Sequence, residues 1–242
     1  MKLRPDSLAQ VSAEIVSCRA CPRLVAWREL VATQKRASFA GEVYWGRPIP
    51  GFGDPAARLL VAGLAPAAHG GNRTGRVFTG DRSGDWLFAA LWRAGYANQP
   101  TSVRAGDGLA LTDCYVSAAV RCAPPANKPT VDERDRCVPY LRREIDLLAS
   151  LRVVVVLGQF AYDAVARMAG PGGLPRPRPR FGHLVEVPCG SLSVTILCSF
   201  HPSQQNTFTG KLTEPMFDAV FTRARELGSW RGAQEPKARP EP

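Results

Sequence analysis

The chain of 242 residues is short of lysine, histidine and methionine, and it has no long apolar run. No stretch approaches the roughly 20 apolar residues that cross a bilayer. The opening MKLRPDSLAQ lacks the apolar centre of a secretory signal. Both absences predict a chain that avoids membranes and stays in the cytoplasm. Hydrophobic residues at 45% and charged residues at 21% exclude a collagen-like or wholly disordered chain, and the length excludes a small disulfide scaffold. Seven cysteines are an odd number, which in a cytoplasmic protein favours metal binding or free thiols over a disulfide framework.

What is plentiful is arginine. Only five of the 31 basic residues are lysine, and 21 acidic residues leave a formal charge of +10. The guanidinium fork suits bidentate phosphate contacts, so the balance points to a polyanion. A compositional preference for arginine is the plainer explanation, and charge alone does not choose between them.

Four compact apolar runs, 57–66, 111–120, 153–158 and 192–199, read as strands. Being continuous instead of alternating, they suit parallel strands covered on both faces. Helical spacing appears between them, at 84–95 and 160–168, and in a final helix from Pro215 to Gly228. The stretch 130–151 opens on a capping box, Thr130 to Glu133, and contains Pro139, where a kink or restart is expected. The alternation predicts a three-layer α/β/α sandwich around a central, mainly parallel four-stranded sheet. Residues 1–229 are expected to form one domain with an N-terminal arm, and the Pro-rich 230–242 a disordered tail. The Pro/Arg/Gly stretch 170–182 reads as a solvated connector or a phosphate contact through Arg176, Arg178 and Arg180.

Cys18 and Cys21 form a C-x-x-C at the end of a short helix, and Cys122 and Cys137 follow far downstream. Together they make a candidate Cys₄ site tying the N-terminal arm to the core, suited to zinc or to an iron–sulfur group. Cys114, Cys189 and Cys198 lie in or beside the apolar runs, where cysteine acts as a small hydrophobe.

Three polar loops follow strands: the glycine-rich 63–85, the Pro-rich 121–129 and FHPSQQNTFTG at 200–210. Parallel order brings such loops to one end of the sheet, where open α/β folds bind ligands. The first is no P-loop, since GK[ST] is missing, and it contains no G-x-G-x-x-G. Taken together, GLAPAAHG, RTGRVFTGD, VRCAPPANKP and FHPSQQNTFTG resemble the uracil-DNA glycosylase superfamily, most closely family 5, the type B enzymes. The resemblance covers about residues 12–228. It implies a [4Fe–4S] cluster on Cys18, Cys21, Cys122 and Cys137.

It also implies a monofunctional DNA glycosylase that removes uracil and other deaminated or modified bases, leaving an abasic site for base excision repair. Phe78 matches the aromatic stacked on the flipped base, Asn127 the amide reading its edge, and His201 the histidine facing the departing base. Asp81 matches the carboxylate proposed to assist catalysis. The first loop, Gly63 to Ala68, offers no side chain that activates water, so the burden moves to Asp81 and to backbone groups. Ala65, His69 and Asn206 are further candidates for the base pocket; Arg73, Ser203 and Gln204 for DNA contacts. Asn72 and Arg73 alternatively just hold the loop, His69 alternatively makes a structural hydrogen bond, and Asp85 is expected to cap the following helix. The expected partner is uracil-containing double-stranded, or single-stranded, DNA in the nucleoid, bound by a monomer. Two rivals are a non-catalytic iron–sulfur nucleic-acid binder, and a metal-dependent phosphodiesterase using Asp81, Asp85 and Asp113.

Overall fold

The computed structural model describes residues 6–229; the expected tail at 230–242 lies outside the described residues. Helix α1 (Leu8–Ser17) starts where the Ser7 hydroxyl accepts the Gln10 N–H, and α2 (Pro22–Gln34) starts on a proline, which needs no N–H in a first turn. Strands β1 (Phe52–Gly53), β2 (Leu59–Gly63), β3 (Cys114–Ala118), β4 (Val153–Leu157), β5 (Glu186–Cys189) and β6 (Val194–Ser199) form one sheet, ordered β1-β3-β2-β4-β6-β5. The inner four are parallel, as the apolar runs predict. The sheet nevertheless has six strands, not four, because an antiparallel strand is added at each edge. Neither edge strand announces itself: β1 has two residues, and β5 alternates exposed with buried positions and contains Pro188, which a ladder tolerates at its edge. The expected strand at 192–199 shortens because 190–192 form a 3₁₀ turn.

The remaining helices are α3 (Gly71–Thr74), α4 (Arg82–Arg93), α5 (Val131–Leu147), α6 (Gln159–Met168), α7 (Gln204–Phe208) and α8 (Glu214–Ser229). Alternate strand residues serve opposite layers. Leu59, Val61, Val116, Val155 and Leu197 pack with Leu87 and Leu91 of α4 and Phe217 and Phe221 of α8. Leu60, Ala62, Val154, Val156 and Ile196 pack with Leu141 and Ile145 of α5 and Tyr162 and Val165 of α6. Both faces are therefore covered, which is why the inner strands are apolar throughout. Among the described residues no helix is long and apolar enough to cross a membrane.

The Thr130–Glu133 capping box forms, and α5 then passes Pro139 without restarting. Proline removes one helix hydrogen bond there, but Val138, Leu141 and Ile145 stay buried in one layer and α1 packs alongside. Tertiary packing overrides the local cost.

One ion pair lies inside this frame. Arg121 and Glu144 are 1% and 0% exposed, and two hydrogen bonds of 3.1 and 2.5 Å join them. The Ser117 hydroxyl and the Gly51 N–H also donate to Glu144, at 2.7 and 3.2 Å. Glu144→Gln leaves a buried guanidinium uncompensated, so a loss of about 3–5 kcal/mol is expected in urea unfolding; a loss below 1 kcal/mol would show that the pair contributes little.

Candidate active site

The chain leaves β2 for β3 on one side and then returns past β2 to β4 on the other. Such a switch of direction opens a crevice at the carboxyl ends of the strands. The loops after β2, β3 and β6 all leave from that end. The loops after β2 and β3 are stitched together, with Ala119 N–H donating to Gly63 O at 2.9 Å and Val120 N–H to Leu64 O at 3.0 Å.

Phe78 stands at the centre. It is 7% exposed and its φ is +51°, a left-handed conformation that costs a non-glycine residue energy. Its ring lies over Gly63, where a Cβ would come within 2.4 Å of Cζ; glycine at the end of β2 is what admits the aromatic. The His201 ring lies 6.1 Å away, centroid to centroid, and tilted by 32°. Burial pushes the His201 imidazole down to about 4, so it is neutral at physiological pH. The Asn206 amide holds the His201 carbonyl at 2.8 Å. Asn206 thus fixes the residue beside the crevice, a role that its sequence position does not disclose.

Asp81 ends the same loop. Its Oδ1 accepts the Gly84 N–H at 3.0 Å and caps α4, so the cap is Asp81 and not Asp85. Asp85 is an exposed member of the first turn, because α4 begins four residues earlier than a cap at Asp85 would allow. The other carboxylate oxygen of Asp81 packs on Gly70, where a Cβ would approach it to 2.2 Å. Burial raises the Asp81 carboxyl above the usual carboxylate range, and Asp85 nearby adds to this; the Gly84 N–H and Arg73 oppose it.

Asn127 closes the one-turn helix 125–127, exposed and with φ of +55°, on the loop after β3. Its side-chain amide has no hydrogen-bond partner among the described residues, which leaves donor and acceptor free. The other candidates separate from this group. His69 Nδ1 is 3.0 Å from the Tyr44 hydroxyl, the structural bond weighed above, and burial lowers its pKa with help from Arg36 and Arg73. Arg73 donates to His69 O, Glu42 and Gly80 O at 2.8, 2.5 and 3.2 Å. All its groups are spent inside the protein, so it holds the loop and is not an available phosphate ligand. Ala65 packs with Leu24, Val120 and Cys122. Ser203 caps α7 and Gln204 is exposed.

Arg76, a residue to which sequence reasoning gave no part, fixes this loop. It is buried and donates to Thr79, Ser102 and Asp107 at 3.0, 2.8 and 2.7 Å. Asp107 also accepts the N–H groups of Val103, Arg104 and Leu109, and the guanidinium beside it contributes to holding its carboxyl down to about 2. The signal was present in GRVFTGD, but its partner lies in an irregular loop whose contacts no spacing reveals. Asp113, by contrast, immediately precedes β3 at the opposite end of the sheet and is gripped by Arg58. Asp81, Asp85 and Asp113 therefore do not converge, and the phosphodiesterase arrangement is not formed.

Cys18 ends α1, Cys21 caps α2, Cys122 follows β3, and Cys137 lies in α5. All four line one cavity. Arg28 donates to Cys122 Sγ at 2.9 Å and the Arg121 N–H to Cys137 Sγ at 3.3 Å. Burial pushes the Cys122 and Cys137 thiols up to about 11 and about 12. Among the described residues no three His, Cys, Asp or Glu side chains gather around a single-ion position. Cys114, Cys189 and Cys198 are buried in the sheet.

Gly63, Phe78 and His201 thus lie together at the carboxyl ends of the parallel strands, with Asp81 at the end of the same loop as Phe78. Residues 50–225 match the Uracil DNA glycosylase superfamily, and the chain belongs to it. Within it the chain is 54% identical over 222 residues to a type-5 uracil-DNA glycosylase of Mycobacterium tuberculosis, covering 91% of this chain and 82% of the relative. Against a type-5 enzyme of Thermus thermophilus it is 50% identical over 213 residues, 88% of this chain and 94% of the relative. A type-4 enzyme of Archaeoglobus fulgidus is 26% identical over 199 residues, 82% of each chain. These identities put the chain with the type-5 members, as the motifs imply.

Because Asp81 caps α4, Asp81→Ala is expected to lower stability by about 0.5–2 kcal/mol, while Asp81→Asn, an equally good cap, costs little. Urea unfolding of both variants checks this; equal losses would mean that the cap bond does not matter.

Proposed function

We propose that the chain excises uracil and other deaminated bases from DNA by hydrolysis, with Phe78, Asp81, Asn127 and His201 as the working residues. Its membership makes it a uracil-DNA glycosylase, an enzyme acting on DNA. The observation that carries the finer reading is the pairing of a neutral His201 with Phe78 at the switch point. A base buried in a duplex must be flipped out and held by stacking and edge contacts. Phe78 supplies the stacking face, and the free Asn127 amide offers both a donor and an acceptor to the base edge. As the glycosidic bond breaks, negative charge gathers on the base and positive charge on the sugar. A neutral imidazole N–H donates to the forming base anion, stabilising it without a proton being given away. Asp81, ionised, faces the sugar cation or orients the attacking water. A raised pKa makes it the more basic for that second task, at the cost of losing its charge earlier on acidification.

The donor set suits a [4Fe–4S] cluster. Four thiols stand around one cavity, with buried N–H donors on two sulfurs. When bound, the cluster would supply a structural tie, joining the α1–α2 corner to α5 and to the loop after β3. The chain's own residues carry the reaction.

A uracil-containing duplex, single-turnover conditions, chelated divalent metal and hot alkali form the test. The wild type should yield alkali-labile sites, and a chain that binds the duplex without making them is the non-catalytic relative. Borohydride trapping of the chain on DNA would instead indicate a Schiff base, with Lys128 beside Asn127 as the candidate amine. Asp81→Asn should slow cleavage by about 10²–10⁴-fold and His201→Ala by about 10²–10³-fold, both with DNA binding retained.

The pH dependence follows from the two shifts. Asp81 acts ionised and its pKa is raised, so activity should fall with acidification at a higher pH than an ordinary carboxylate near 3.8 would give. His201 stays neutral down to about 4, so no break is expected near 6.5. A single-turnover profile showing a break near 6.5 that His201→Asn abolishes would assign the opposite charge state to His201.

A further inference from the structure

Two buried arginines line the cysteine cavity, and only one has a counter-charge of its own. Arg121 is met by Glu144. Arg28 is 2% exposed, and its nearest carboxylate, Glu29, stands 3.8 Å away. Glu29 is already taken by Arg19, in contacts of 2.5 and 3.2 Å. Arg28 instead donates to Cys122 Sγ at 2.9 Å and to Cys18 O at 3.2 Å, and its Nε has no partner. A third cation on the cavity, Arg136, is exposed and paired with Asp132 at 3.0 Å.

A guanidinium removed from water needs an anion close by, or its burial is strongly unfavourable. The protein provides Arg28 with one thiol sulfur and one backbone carbonyl where a carboxylate would be expected. Four thiolates around a cubane carry net negative charge, and hydrogen bonds to sulfur help set the stability of such a group.

We propose that Arg28 is the counter-ion of the iron–sulfur cluster and the hydrogen-bond donor to its Cys122 sulfur, a role in holding the cluster rather than in the reaction. The proposal rests on the cluster reading above. Its geometry also fixes a direction of coupling. The Arg28 carbonyl accepts the Asn72 side-chain amide at 3.2 Å, and Asn72 is buried in α3, within the loop that carries Phe78 and Asp81. The backbone of the residue that meets the cluster with its side chain thus anchors the loop of the active site.

The test uses the full chain, purified without oxygen, as wild type, Arg28→Lys and Arg28→Gln. Iron and acid-labile sulfide per chain, visible circular dichroism and the rate of bleaching by an iron chelator are measured at equal distance from each unfolding midpoint. Replacing outer partners of metal ligands weakens metal binding by 10–100-fold as a rule. Arg28→Gln should therefore bleach on the order of tenfold faster or more. Arg28→Lys keeps the charge but not the fork, so it should fall between the two and shift the visible dichroism. Arg28→Gln with wild-type bleaching overturns the proposal. If that variant does not fold, Arg28→Lys with unchanged dichroism and bleaching overturns it equally. A wild type free of iron and sulfide overturns the cluster itself, and this role with it, a result distinguishable from an iron-loaded chain indifferent to Arg28.

Discussion

The close approach of the Phe78 ring to Gly63 is the constraint around which the site is arranged. An aromatic side chain can lie across the end of a central strand only if that strand ends in a residue without a Cβ. The approach in turn needs Phe78 at positive φ, which a bulky residue resists. Such a conformation persists where the surroundings over-determine it. Arg76, Thr79, Ser102 and Asp107 do so on one side, and Arg73 with Glu42 and Gly80 on the other. Seven residues thus spend polar groups on holding the loop that carries Phe78.

The same arrangement explains how charge is distributed. The +10 balance pointed to a polyanion, yet many arginines serve the interior or the loops. Arg28, Arg73, Arg76 and Arg121 are buried or nearly so and bind protein groups. Net charge remains a sound argument about DNA attraction, but it does not identify which arginines touch phosphate. Arg73 is the case in point: its sequence context suggests an exposed loop, and its guanidinium proves fully engaged.

Much of the fold was legible because burial on both faces leaves an unmistakable composition. Val153 to Leu157 has no polar residue to misplace, and the Thr130–Glu133 box marks a helix start through a local bond. The edge strands were not legible, since Pro188 and the exposed Glu186 are compatible with a loop unless β6 is known to lie beside them. In the site, Phe78, Asp81, Asn127 and His201 stood out through the motifs that carry them. The cap went to the wrong aspartate because Asp81 and Asp85 are both plausible caps, and the first turn of α4 is decided by where Phe78 must sit. Asp107 and Arg28 were invisible for another reason. Their partners are distant in sequence, and a buried ion pair or an arginine on a sulfur has no periodicity to read.

The division of the four cavity cysteines along the chain also bears on biosynthesis. Cys18 and Cys21 leave the ribosome while β2, β3 and α5 are still unmade, and Cys137 lies in a helix that follows half of the sheet. The cavity therefore cannot be complete until α5 has been made and brings Cys137 to it. Completion of the cavity thus depends on joining the first two helices of the chain to a helix from its middle.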